Sequence, residues 1–234
     1  MQDKIGWIGL GSMGNRMAKN LAKNGYQMLV TDKMDTSAAP QSAHVATTNS
    51  EVISEANILI LSIPAGPDTL EITQEILNSP SSSVEIVIDT STIGIPDAKQ
   101  AAELLSKKGI EYVDAPVSGG IAGAESATLA VMVGCKENIF EKVQPILKCI
   151  GANIFHVGPN PGQGQTVKLL NNFLSATAMA ATSEAMAFGT ANGLEMKAML
   201  DVVNVSSGRN TATMDKFPNR IANEAYDGGF ATKM

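Results

Sequence analysis

Residues 5 to 14 read Ile5-Gly6-Trp7-Ile8-Gly9-Leu10-Gly11-Ser12-Met13-Gly14. The stretch opens in a short apolar run, Ile5 to Gly9, that reads as a strand. It closes on three glycines in the Gly-x-Gly-x-x-Gly spacing. Met13, Met17 and Leu21 then recur every four residues and Gly25 follows, the pattern of an amphipathic helix with its stop signal. Such glycines also cluster in ordinary turns, but here strand, loop and helix come in the order that a dinucleotide-binding turn requires.

Each glycine has a distinct task in that reading. Gly9 permits the tight turn, Gly11 lets backbone approach a pyrophosphate, and Gly14 brings the helix close to the strand. The free amides and partial positive charge of the helix N-terminus then face the phosphates. Leu10, Ser12 and Met13 complete the loop. The second strand pattern ends at Asp32, 18 residues past Gly14. An acidic side chain there accepts hydrogen bonds from both ribose hydroxyls of NAD and repels the extra phosphate of NADP. On its own it would read as a solvated turn residue. Lys33 would partly neutralise a 2′-phosphate, so the expectation is NAD, with NADP as the alternative.

Working outward, the first 160 residues alternate strand and helix patterns. Strands are expected at 5–9, 28–31, 58–63, 84–89 and 112–115, then at 129–133 and 153–157, with a helix at 137–148 between the last two. They are short, nearly continuous runs of Ile, Leu and Val, as in sheets covered on both faces. Pro96 opens a helix that runs to about Lys108, with Gly109 behind it. The fold class is α/β: a Rossmann-type doubly wound parallel sheet followed by an all-α domain. The turn cluster Gly158-Pro159-Asn160-Pro161-Gly162 marks the boundary, giving domains 1–161 and 162–234. Beyond it, Gln165 to Asn192 lacks proline and would make a helix about 40 Å long at ~1.5 Å per residue. Shorter helices are expected near 195–205 and 215–226. No internal repeat is evident.

The bulk numbers narrow the function classes. The chain has 234 residues, 44% hydrophobic and 17% charged, enough apolar material for a sizeable core. Its formal net charge of −6 and lack of a basic stripe argue against nucleic acid. Cys135 and Cys149 lack metal or redox spacing and read as small core residues in a reducing compartment. No apolar run reaches the roughly 20 residues that span a bilayer. The first strand begins at about Lys4, leaving no room for a signal peptide. The expected location is cytoplasmic, or an organellar matrix if a transit peptide has been removed. His44 and His156 are expected to be structural or exposed.

Four further segments are candidates for the site. Ser62-Ile63-Pro64 and Asp89-Thr90-Ser91-Thr92 end two strand patterns, and ligands of open α/β sheets sit at the carboxyl ends of strands. Ile63, Pro64 and Thr92 are therefore expected at the cofactor. The alternatives are a strand stop for Pro64 and a cap for Thr92. Asp114-Ala115-Pro116-Val117-Ser118-Gly119-Gly120 ends a strand in a loop of backbone amides and one hydroxyl, which suits a carboxylate ligand or is a flexible turn. In Gly162-Gln163-Gly164-Gln165-Thr166-Val167-Lys168-Leu169-Leu170-Asn171-Asn172, Lys168 and Asn172 share one helix face beside the domain boundary. A helix Lys taken alone is usually a solvated charge.

Four of these signatures, taken in order, resemble the β-hydroxyacid dehydrogenase family: Gly9 to Gly14, Asp89 to Thr92, Asp114 to Gly120, and Gly162-x-Gly164 leading to Lys168 and Asn172. The likeness covers essentially the whole chain. It implies an NAD(P)-dependent enzyme that moves a hydride between the cofactor and a small β-hydroxyacid or its semialdehyde. It implies Lys168 as the acid/base, Ser118, Gly119 and Gly120 as the carboxylate seat, Asn172 as the group that orients the hydroxyl, and Thr92 near the cofactor. A Lys has an ordinary pKa near 10.4, and burial beside a cationic ring would bring it toward neutral. No metal is required. Homodimers or homotetramers are expected, with a small-molecule hydroxyacid as the ligand and no membrane partner. Candidate substrates include 3-hydroxyisobutyrate, tartronate semialdehyde, glyoxylate, succinic semialdehyde and a sugar acid such as threonate. Ser207 to Thr213 are expected to contribute to the pocket. The rival readings are an imine reductase-like enzyme and a nonenzymatic dinucleotide-sensing or protein-binding module, both of which usually lack the helix Lys. Family members usually continue past the Gly229-Phe230 region into a Lys-Asp pair that this sequence, ending at Met234, does not reach, and Lys233 is not expected to replace it.

Overall fold

The computed structural model describes residues 4–226. Lys233 and the Gly229-Phe230 region lie outside the described residues. The elements run β1 Ile5–Ile8, α1 Gly14–Lys23, β2 Met28–Thr31, β3 His44–Val45, α2 Asn49–Glu55, β4 Ile58–Leu61, α3 Gly66–Asn78, β5 Ile86–Asp89, α4 Ile95–Ser106 and β6 Glu111–Asp114. They continue with β7 Val117–Ser118, α5 Gly120–Ser126, β8 Ala130–Gly134, α6 Glu137–Leu147, β9 Asn153–Gly158, α7 Gln163–Ala191 and α8 Met196–Asn204. The chain divides into two compact units, 1–168 and 169–234.

The first unit is a sheet with strand order β3-β2-β1-β4-β5-β6-β8-β7, to which β9 is added beside β8. Strands β1 to β6 pair in parallel. Alternation along the strands assigns their two faces. Ile58, Ile60, Ile86 and Ile88 join Trp7, Met17 and Leu21 in one core, whereas Leu59, Leu61 and Val87 join Val52, Ile53 and Ile76 in the other. Both faces are thus covered, which explains the unbroken apolar runs. Trp7 is fully buried, and its indole N–H donates to the Gly9 carbonyl at 2.8 Å.

The expectation of an all-parallel sheet needs one correction. β8 runs antiparallel to β6 and β7, and the sheet becomes parallel again at β8–β9. β6 and β7 run the same way along β8, interrupted only at Ala115 and Pro116, so the chain reverses after Ser118, through the Gly119-Gly120 bend and α5, and β8 returns alongside both.

The second unit packs Met186, Leu200, Ala212 and Phe217 as its buried centre, ringed by Met179, Met196, Met199, Val203 and Ile221. The helix expected near 215–226 is instead a π-type turn at Ala212–Lys216, a single turn at Phe217–Asn219 and a 3₁₀ turn at Ile221–Asn223. Pro218 cannot continue an i→i−4 ladder, and Glu224 is left-handed at φ 56°. Among the described residues, no helix is long and apolar enough to cross a membrane.

Candidate active site

The glycine loop lies at the carboxyl end of β1, between the ends of β2 and β4. Gly9 N–H donates to Thr31 O at 3.0 Å, and Ser62 N–H donates to Ile8 O at 3.0 Å. A Cβ on Gly14 would lie 2.1 Å from the Gly9 carbonyl oxygen, so only glycine lets α1 approach the strand this closely. A Cβ on Gly11 would meet nothing within 4 Å. That opening, at the N-terminal end of a helix, is the cradle a pyrophosphate needs. Asn15 Nδ2 donates to the Gly11 carbonyl at 2.6 Å and holds the loop's outer turn.

Asp32 is half-buried beside the loop. Its Oδ2 accepts from Leu10 N–H at 2.6 Å, and its Oδ1 accepts from Met34 N–H at 2.7 Å and Asp35 N–H at 3.2 Å. The carboxylate therefore ties the glycine loop to the end of β2. Lys33 pairs with Asp68 at 2.9 Å, which holds its amine above the ordinary value. Its charge is therefore engaged by Asp68, and the backbone amides, the open cradle and the acidic Asp32 together fit NAD.

Ile63 and Thr92 belong to adjacent strand ends. β4 and β5 pair Leu61 with Asp89, and Ile63 N–H donates to Ser91 Oγ at 2.9 Å. Pro64 is exposed and Thr92 half-buried. Beneath this edge, Asp89 is fully buried and accepts from Thr69, Tyr112 and Ser91. Burial pushes its carboxyl above the usual range.

Asp114 stands in register with Asp89 on the neighbouring strand and is also fully buried. Desolvation raises its carboxyl from 3.8 to about 6. Its Oδ2 accepts from Gly162 N–H at 2.8 Å and Gln165 N–H at 3.1 Å, and its Oδ1 accepts from Gln165 Nε2 at 2.8 Å. Gln165 is completely buried. Its Nε2 also donates to Ser91 O at 3.0 Å, while its Oε1 accepts from Ile93 and Gly94 N–H at 3.0 and 3.1 Å. This network escaped the sequence reading. Its only local trace is a Gln in a helix start that packs closely.

Gly162 and Gly164 explain that packing. Gly162 has φ 90°, and a Cβ on Gly164 would lie 2.4 Å from Met132 O and 2.9 Å from Asp114 O. The first turn of α7 therefore rests directly on the ends of β6 and β8. Lys168 follows one turn later, half-buried. Among the described residues it has no carboxylate partner within ion-pair distance, and desolvation lowers its pKa.

Ser118 ends β7, paired with Ala130, and the chain then bends through Gly119 at φ 136° and Gly120 at φ 64°. Both glycines are exposed. Asn172 lies one turn further along α7, within the second unit.

The two histidines have structural partners. His156 bonds Glu137 at 2.9 Å and Cys135 O at 2.7 Å and stacks on Phe140, while His44 is exposed beside Glu51. Burial pushes the Cys135 thiol up to about 12, far from a reactive thiolate. Among the described residues no cluster of His, Cys, Asp or Glu could hold a metal.

Comparison with known proteins agrees with this architecture. Residues 4–158 match the family model of the NAD binding domain of 6-phosphogluconate dehydrogenase. Residues 162–234 match that of the NAD-binding region of NADP-dependent 3-hydroxyisobutyrate dehydrogenase. The chain is 39% identical over 238 residues to 2-(hydroxymethyl)glutarate dehydrogenase of Eubacterium barkeri, covering 97% of this chain and 77% of that one. It is 36% identical over 242 residues to the NAD-dependent L-serine dehydrogenase of Pseudomonas aeruginosa, covering 99% and 80%. The solved structure of Mycobacterium tuberculosis 3-hydroxyisobutyrate dehydrogenase with L-serine superposes with a TM-score of 0.88 at 31% identity, covering 99% of this chain and 82% of that one. These matches favour hydroxyacid over imine chemistry, and a dehydrogenase over a binding module. The chain belongs to the β-hydroxyacid dehydrogenase family and is an NAD(P)-dependent oxidoreductase.

Proposed function

We propose that the chain oxidises short acids bearing a primary hydroxyl on the carbon β to a carboxylate, with Lys168 as the acid/base. The substrates named for its relatives, 2-(hydroxymethyl)glutarate, L-serine and 3-hydroxyisobutyrate, share that unit and differ only in the substituent on the α carbon. NAD, bound along Gly9 to Gly14 with its ribose at Asp32, supplies the hydride acceptor. The walls of its seat are Ile63, Pro64 and Thr92. Ser118 and the amides of Gly119 and Gly120 hold the carboxylate. Asn172 orients the hydroxyl.

The observation that carries this reading is the state of Lys168: half-buried, without a carboxylate partner among the described residues, and lowered in pKa by desolvation. Its neutral amine takes the hydroxyl proton during oxidation. In reduction the ammonium returns that proton to the carbonyl oxygen and stabilises the charge developing there. The exposed side chains of Leu170 (57%), Phe173 (69%) and Phe188 (74%) support assembly into a homo-oligomer.

Absorbance at 340 nm with a panel of α-substituted 3-hydroxypropionates, run with NAD and NADP, tests the function. Turnover with at least one member, faster with NAD, is expected. Cofactor binding without turnover of any member would refute it.

A further inference from the structure

We propose that Gln165 and Asp114 are a positioning pair that sets the Lys168 amine in one frame with the cofactor-side loop at Thr92; this rests on the assignment of Lys168 as the acid/base. The pair sits where three pieces of backbone meet: residues 91–94 after β5, the end of β6, and the first turn of α7.

The Gln165 carboxamide makes four hydrogen bonds, two donated and two accepted, and so uses its whole bonding capacity. Only one orientation works. A flipped amide would aim its NH₂ at the N–H groups of Ile93 and Gly94, and its oxygen at Ser91 O and the Asp114 carboxylate. Asp114 uses its other oxygen for the Gly162 and Gln165 amides, so the turn that carries Lys168 is fixed through both backbone and side chain. Lys168 is three residues beyond Gln165 and shares its side of the helix. Thr92 lies between Ser91 and Ile93, both held by the same carboxamide. One buried amide thus ties the acid/base to the wall of the cofactor seat. A fold needs neither a saturated carboxamide nor a buried carboxylate at this spot, because well-packed apolar side chains could hold it equally well.

The test compares Gln165→Ala, Asp114→Asn, the double swap Asp114→Asn with Gln165→Glu, and Lys168→Ala, all in the full chain. The swap reverses donor and acceptor across the pair, and the new carboxyl, kept protonated by burial, donates its O–H to Ser91 O in place of the carboxamide. Competitive labelling with acetic anhydride, read by peptide mass spectrometry, gives the Lys168 titration without cofactor or substrate. In Gln165→Ala the Lys168 titration should rise toward an ordinary lysine as the turn loosens and water enters. Turnover should fall about 100-fold, the cost of misplacing a reacting group by roughly an ångström, with NAD affinity changed less than about 3-fold. The double swap should recover about 10-fold or more over Asp114→Asn, as expected when a directly coupled pair is restored.

Unchanged Lys168 titration and turnover in folded Gln165→Ala would overturn the proposal. So would a double swap no better than Asp114→Asn, and this arm decides the matter if Gln165→Ala does not fold. Retained turnover in Lys168→Ala would sink the acid/base assignment instead, while the labelling result would still judge the pair.

Discussion

The glycine loop and the first turn of α7 occupy the same edge of the sheet but are built from opposite materials. The loop is backbone: amides, a helix end and glycines whose missing side chains leave room, with the Asp32 carboxylate bonded to its Leu10 amide. The α7 turn is side chain: a buried carboxamide and a buried carboxylate that bridge segments 48 to 74 residues apart. A backbone site is rigid because sterics leave no alternative. A side-chain site is rigid because every donor has an acceptor, so it depends on protonation and fails when one partner is removed.

The sharpest way to break the comparison lies inside the loop itself. Gly14→Ala forces a Cβ to within 2.1 Å of backbone that cannot move aside. It should cost about 3 kcal/mol or more in urea unfolding, at the upper end for overpacking. Gly11→Ala meets nothing within 4 Å, so it should leave unfolding unchanged while weakening NAD in a titration. Equal destabilisation by the two would show that the open cradle is misread.

The next effect separates the α7 turn by its charge. Asp114 is raised from 3.8 to about 6 in the folded protein by desolvation. Its favourable contribution is therefore fully present below the unfolded value and is lost as pH rises through about 6. The shift corresponds to roughly 3 kcal/mol. The stability of the wild type relative to Asp114→Asn should fall across pH 4 to 7, with Asp89 common to both. A flat difference in pH-dependent denaturation would contradict the burial of this charge.

A smaller effect sharpens the cofactor side. Asp32→Ala should weaken NAD about 10-fold more than NADP, the worth of one hydrogen bond to a charged group. Binding titrations with both nucleotides decide it, and the opposite ranking would refute the ribose assignment.

This division of materials also explains what was legible from the sequence. A loop made of backbone leaves its mark as glycine spacing, so Gly9 to Gly14, Asp32 and the flanking strand and helix are all where the pattern placed them. The long strands were legible because burial on both faces demands continuous Ile, Leu and Val. The two-residue strands β3 and β7 are too short to carry a period, and the antiparallel β8 hid behind an ordinary apolar run. The Asp215 to Tyr226 helix failed because Pro218 and the left-handed Glu224 outweighed the pattern around them. Gln165 was invisible as a site residue. A glutamine at a helix start is unremarkable until the fold brings Ile93, Gly94, Ser91 and Asp114 to it. The Lys168 assignment came from resemblance, since a helix lysine by itself carries no signal. Its half-burial, and its lack of a carboxylate partner among the described residues, are what the structure adds.

The central claim is that the Lys168 amine moves the hydroxyl proton. Lys168→Ala, assayed at 340 nm with the best member of the hydroxyacid panel and saturating NAD, tests it directly, alongside an NAD titration followed by protein fluorescence. Turnover should fall about 1,000-fold, within the range for loss of a general base, while NAD affinity stays within about 2-fold. Turnover close to that of the wild type, or a parallel loss of NAD binding, would contradict the account.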